Sequence, residues 1–272
     1  MVTMHIDELI AHAKQHINTP QQVPFLSIPK SWGQGRTVFG GISTALIYTA
    51  IKECIASGRV LRSLNTNFIG PLAFDTPFTI EVEVLREGRS ATQVIGKAIQ
   101  NDKVCVMSQA CFGVARDSKV NVRNTQHHGM LAPKKRSYIP QIPKVVPNFI
   151  QHFELAKHDG GWPFTGKKTS HLHGWMRFKE PPECITDGHL IAMLDSWPPT
   201  LLQLIRWPAP ISTMSWSIEF IHPHADIQPT DWFAYQASTR QAADGYGHTE
   251  ANVWDSHGEL VAISRQVVAI FD

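Results

Sequence analysis

The sequence predicts an α+β protein made of two tandem units, each a curved antiparallel sheet wrapped round a central helix. Three observations predict it. The tetrapeptide Phe68-Ile69-Gly70-Pro71 returns as Phe220-Ile221-His222-Pro223, 152 residues later. Behind each copy follow three strand-like stretches in the same order and of nearly the same lengths. Ahead of each copy lies a segment so apolar that a helix built from it has to be covered on almost every side.

Taken along the chain, "MVTMHIDELIAHAKQ" alternates as an amphipathic helix and has no apolar core of the kind a signal peptide needs. In "GRTVFGGISTALIYTAIKECIASG", Ile42, Ala45, Leu46, Tyr48, Ala50, Ile51, Cys54 and Ile55 leave almost no polar face, so this helix is expected at the centre of the first unit. After Phe68-Ile69-Gly70-Pro71, residues 79–85, 91–100 and 104–115 read as strands joined at the turns "REGRS" and "QNDK". Residues 116–146 hold three prolines and a basic cluster with little apolar periodicity, the composition of a linker. Within it "APKKRS" reads as a solvated surface loop, or as a contact for a CoA phosphate.

In the second unit, "PNFIQHFELA" and "SHLHGWMRFKE" are expected as its first strands. The apolar segment is "GHLIAMLDSWPPTLLQLIR", interrupted by Pro198-Pro199. Residues 232–239, 248–254 and 260–271 then read as strands with turns at "QAADG" and "DSHGE". The division expected is 1–117 for the first unit, 118–147 for the linker and 148–272 for the second.

Composition excludes several classes of function. Of 272 residues, 43% are hydrophobic and 18% charged, which fits a soluble globular protein with an ample core. A net charge of +2 gives no general pull toward nucleic acid or acidic membranes. No apolar run approaches the roughly 20 residues that span a bilayer. The four cysteines show no Cys-x-x-Cys spacing, and Cys54, Cys105 and Cys111 sit in apolar stretches, which points to reduced, buried thiols and the cytoplasm.

Several local signals carry little. "GQGRTVFG" lacks the spacing of a dinucleotide-binding loop, and there is no Gly-x-Ser-x-Gly elbow. His171-x-His173 and His222-x-His224 have no carboxylate or cysteine at ligand spacing, so no metal and no cofactor are expected. Trp175, Trp197, Trp216 and Trp232 read as core or interface.

Asp195 stands out. Flanked by "LIAML" and "SWPP", its carboxylate is expected to be buried, a costly placement unless it finds a partner. With an ordinary carboxylate pKa near ~3.9 it would be ionised at neutral pH and able to polarise a water. The alternative is that Asp195 or Ser196 caps a helix starting near Pro198. Gly40-Gly41 open the first apolar helix with no Asp or Ser ahead to cap it. Their N–H groups either receive an oxyanion, or the glycines let the sheet pack closely.

Together these stretches resemble the acyl-CoA thioesterase II-like double hot-dog thioesterases. The likeness is carried by "GRTVFGGISTALIYTA", "NTNFIGPLAFDTPFTIEVEVLREGRS", "AIQNDKVCVMSQACF", "HLIAMLDSWPP", "ISTMSWSIEFIHP" and "DSHGELVAISRQ". The resemblance implies a hydrolase of acyl-CoA in which an Asp, a Thr and a Gln hold the attacking water. The matching positions are Asp195, Thr213 and Gln266. The sequence also departs from some members. Arg62 and Asn65 stand where histidines occur, and Met214-Ser215-Trp216 replaces an Ile-Asp-His run, so no histidine-assisted mechanism carries over.

In the first unit Leu61 falls opposite Thr213, and Ala110 opposite Gln266, so one site per chain is expected, led by the second unit. A homodimer is expected as well. Two other readings stand beside hydrolysis: a non-catalytic acyl-thioester binding protein, and a hot-dog hydratase acting on enoyl-CoA.

Overall fold

Residues 3–134, 139–140, 142 and 146–271 are described by the computed structural model. The chain enters through α1 (Ile6–Asn18), whose Ile6, Leu9, Ile10, Ala13 and His16 turn inward as the amphipathic pattern requires. A two-stranded ribbon, β1 (Gly33–Gln34) and β2 (Thr37–Val38), leads into α2 (Gly40–Glu53). Every residue of α2 from Gly41 to Ile51 is buried. Each buried Ile or Leu there contributes about 1.5–3 kcal/mol.

The first half continues with β3 (Val60–Phe68), β4 (Thr79–Glu87), β5 (Ala91–Gln100) and β6 (Lys103–Gly113). The second half opens on the hairpin β7 (Phe153–Gly160) and β8 (His171–Phe178), followed by α3 (Asp187–Leu194). It closes with β9 (Ile211–Phe220), β10 (Phe233–Ala243), β11 (Tyr246–Trp254) and β12 (Leu260–Ile270).

Ten of these strands pair antiparallel in the order β4-β5-β6-β3-β9-β12-β11-β10-β8-β7. The repeated tetrapeptides follow the two strands that meet at the middle. There Asn65 stands opposite Ser217, with Ser63 opposite Glu219 and Asn67 opposite Ser215 on either side. Asn65 and Ser217 are 152 residues apart and hydrogen-bonded to each other, so the repeat's symmetry axis passes between them.

Even the irregularities are duplicated. The β3–β6 ladder skips Arg62 and the β9–β12 ladder skips Met214, which is again 152 residues on. The helices α2 and α3 lie side by side and antiparallel: Gly41 abuts Ala192, and Gly188 abuts Thr49. At Gly96 in β5, a Cβ would stand 2.6 Å from Ile47, so the sheet passes too close to α2 for any side chain. The architecture is the double hot-dog.

The start of α3 is fixed by His189. Its Nδ1 accepts from the Thr186 N–H and hydroxyl, so Nε2 carries the hydrogen and donates to Asp7 of α1 at 2.8 Å. The helix stops at Leu194 because Pro198 and Pro199 cannot continue it.

Between the halves, residues 114–134 form neither helix nor strand, as a linker should. They do not trail in solvent throughout. Trp254, Gln236 and Trp175 donate side-chain N–H groups to the carbonyls of Gln126, His128 and Leu131, and Met130 packs among Ala156, Trp175, Ala234 and Trp254. Most of the basic part of "APKKRS" lies outside the described residues. Among those described, no helix is long and apolar enough to cross a membrane.

Candidate active site

Asp195 is the residue at which the chain leaves α3, and its side chain is half-buried rather than fully enclosed as the sequence suggested. Oδ1 accepts a hydrogen bond from Gln266 Nε2 at 2.7 Å. The Gly41 backbone N–H supports the same carboxylate. Burial pushes the Asp195 pKa up from 3.8 to about 7, while the donors from Gln266 and Gly41 act in the opposite direction. The expectation of an ordinary, fully ionised carboxylate is therefore corrected. Loss of water outweighs two hydrogen bonds, and the group sits near half-ionisation at neutral pH.

The capping alternative finds no support in the geometry. The next helical turn, Thr200–Gln203, begins after Pro199 without any side-chain cap, and Ser196 Oγ points to Met176 Sδ at 3.7 Å. Asp195 takes its partners from the N-terminus of α2 and from β12 instead.

Gln266 sits in the middle of β12, opposite Trp216 of β9. Trp216 is buried, and its indole N–H donates to Ser264 at 2.8 Å. Simple alternation from Trp216 would turn Met214 inward and Thr213 outward. The bulge at Met214 reverses this, pairing Thr213 with buried Val268 and leaving Met214 47% exposed. Thr213 thus shares the inner face with Gln266. Among the described residues its hydroxyl makes no side-chain hydrogen bond, so Asp195 and Gln266 are joined directly and Thr213 stands on their face without a bond to either.

Gly40 and Gly41 are the first two residues of α2, and Phe39 ahead of them offers no side-chain cap. A Cβ at Gly40 would lie 2.9 Å from Asp195 Oδ2 and 3.0 Å from Phe68, and one at Gly41 would lie 2.6 Å from the Ala192 carbonyl. Both glycines permit close packing. Gly41 also spends its N–H on Asp195.

Tyr235 escaped the sequence reading. Burial first, and then the charge of Asp195, push its phenol pKa up, which places it in the field of the carboxylate. It stacks with Trp197, ring centroids 6.2 Å apart. The only signal available was its place in the alternating strand "WFAYQAST", where it passes for a core aromatic. Two surface grooves, of about 510 and 610 Å³, open around Asn65 and Gln266 and around Arg62. Neither includes Asp195.

The fold places the protein in the class of double hot-dog proteins. Residues 28–113 match the acyl-CoA thioesterase N-terminal domain, and residues 129–270 match the acyl-CoA thioesterase C-terminal domain. The chain belongs to the acyl-CoA thioesterase family and is an enzyme of acyl-CoA hydrolysis.

Among its relatives, acyl-CoA thioesterase 2 of Haemophilus influenzae is 23% identical over 254 residues, covering 85% of this chain and 86% of that one. A hot dog fold protein of unknown function from Alicyclobacillus acidocaldarius superposes with a TM-score of 0.75 at 21% identity, over 91% and 92% of the two chains. An acyl-CoA thioesterase II from Mycobacterium marinum gives 0.67 at 17% identity, over 89% and 96%.

Proposed function

We propose that Asp195 is the general base of thioester hydrolysis, acting on a water that Gln266 and Thr213 help to hold. The observation that carries this reading is the hydrogen bond from Gln266 to a half-buried carboxylate whose pKa is pushed up to about 7. A base poised near the working pH is the most useful one, and such help is typically worth about 10²–10⁴ in rate.

The water oxygen attacks the thioester carbonyl carbon while Asp195 takes a proton from it. The oxyanion that forms is received by the Gly40 N–H at the uncapped start of α2, where the helix dipole favours negative charge. The C–S bond then breaks, the electron pair leaves on the CoA sulfur, and the proton returns from Asp195 to the thiolate. The products are a free acid and CoA, with no metal or cofactor in the step. The acyl chain lies between helix and sheet, which requires Phe68 beside Gly40 to move aside.

Nothing favours a hydratase. Among the described residues only Gln266 and Gly41 perturb Asp195 alongside its burial, and neither is the histidine that hydration would need.

The division into 1–117, 118–147 and 148–272 is also proposed, as are a cytoplasmic setting and a homodimer. All four cysteines are free, which suits a reducing compartment. The sheet ends on β4 and β7, and exposed Val84 and Leu85 on β4 offer an edge to a second copy.

A panel of acyl-CoAs of increasing chain length, followed by release of free thiol, tests the function. Turnover at some length supports it. Binding without thiol release at every length overturns it in favour of a binding protein.

A further inference from the structure

Away from the carboxylate site, the structure gathers three groups that sequence spacing keeps apart. His222 in the second tetrapeptide and His224 just beyond it follow β9, and Asp187 opens α3, 35 residues before His222. One ligand atom from each lies within 4.8 Å of the others. The two imidazoles stack with centroids 4.1 Å apart. Their Nε2 atoms are both shielded from solvent, and neither has a hydrogen-bond partner among the described residues. Two shielded, unpaired ring nitrogens in a cluster with a carboxylate call for a partner, because buried polar atoms are otherwise paired.

We propose that Asp187, His222 and His224 form a divalent transition-metal site of the zinc type, tying the exit of β9 to the start of α3. Two neutral imidazoles and one carboxylate make a borderline N₂O donor set suited to zinc, with water completing a tetrahedron. Tyr48 of α2 holds the carboxylate in place, its hydroxyl donating to Asp187 Oδ2 at 3.1 Å.

Closing the donors to zinc distances of about 2.0–2.2 Å requires the imidazoles to turn inward. Both side chains are half-buried. Asp187 and Asp195 lie at opposite ends of α3, about 12 Å apart by helical rise. The metal is therefore structural and takes no part in hydrolysis.

The test uses the full chain without a polyhistidine tag, stripped with a chelator and dialysed against micromolar zinc sulfate. About one zinc per chain is expected by elemental analysis, with a rise in Tm over the stripped protein. His224→Gln and the double variant His222→Ala/His224→Ala are expected to lose the zinc and the rise while keeping thioesterase turnover. Cobalt(II) added to the stripped parent reports the same site through visible absorption bands, and needs no variant to fold. A parent with under a tenth of an equivalent and no cobalt bands, or variants that hold as much zinc as the parent, overturns the proposal and leaves the hydrolytic reading untouched.

Discussion

Gln266 donates to Asp195 at 2.7 Å across 71 residues of sequence, joining the chain's final strand, in the middle of the sheet, to the end of the second central helix. The bond stabilises the ionised carboxylate and holds its pKa below the value that burial alone would impose. In the parent, kcat/KM is expected to rise with pH through a midpoint near 7 and then level off. Gln266→Ala removes a donor from the charged form, so its midpoint moves to higher pH and its rate at pH 7 falls. Profiles of thiol release between pH 5.5 and 9 check both. A flat parent profile argues against Asp195 as the titrating base, and an unmoved midpoint in the variant argues against the bond's role.

The same carboxylate makes stability depend on pH. Its folded pKa of about 7 lies above the unfolded value near 3.8, so the native state binds the proton more tightly. The contribution is fully present below the unfolded value and is lost as pH rises through the folded one. At about 1.4 kcal/mol per pH unit the loss reaches at most about 4 kcal/mol, and less where solvent reaches the group. Asp195→Asn carries no such loss and keeps an acceptor for Gln266. Thermal melts are expected to show the variant gaining on the parent between pH 5 and pH 8. A gap that stays constant contradicts the raised pKa.

The two glycines of α2 separate chemistry from packing. Gly40→Ala sets a methyl against Asp195 Oδ2 and the movable Phe68 ring, so turnover is expected to fall by tenfold or more while the fold survives. Gly41→Ala drives a methyl into the Ala192 carbonyl, backbone that cannot step aside. That variant is expected to lose about 2 kcal/mol or more of stability, in the range of other overpacked cores. Turnover and denaturation midpoints measured on both variants distinguish the two effects.

Thr213 owes its inward position to the bulge at Met214. Thr213→Val keeps the shape and removes the hydroxyl, and kcat is expected to drop by about tenfold with the pH midpoint unmoved, because the hydroxyl bonds neither Asp195 nor Gln266 in the resting protein. A shifted midpoint would show that Thr213 acts on the base itself.

Much of this arrangement was legible in the sequence. The apolar run of α2 and the alternating strands declared themselves because helix and strand periods differ and both faces are buried where they meet. The internal repeat showed two like units, and the apolar neighbours of Asp195 marked it as withdrawn from water, although it is half-buried and not enclosed. Other features depend on long-range geometry. Alternation alone turns Thr213 outward, and only the family likeness selected it. The raised pKa of Asp195 reflects how little water reaches it, which no local pattern reports. Tyr235 looked like any strand aromatic. Asp187 is far in sequence from His222 and His224, so spacing rules for metal ligands pass over it. The linker's hold on Trp175 and Trp254 runs through backbone carbonyls that every residue carries.

The most direct measurement is the rate of thiol release by Asp195→Asn beside the parent, on one acyl-CoA at pH 8, with circular dichroism confirming the fold of both. A loss of about 10²–10⁴ in kcat is expected, the worth of a general base. Equal rates for the two proteins would contradict the assignment of Asp195 as the base.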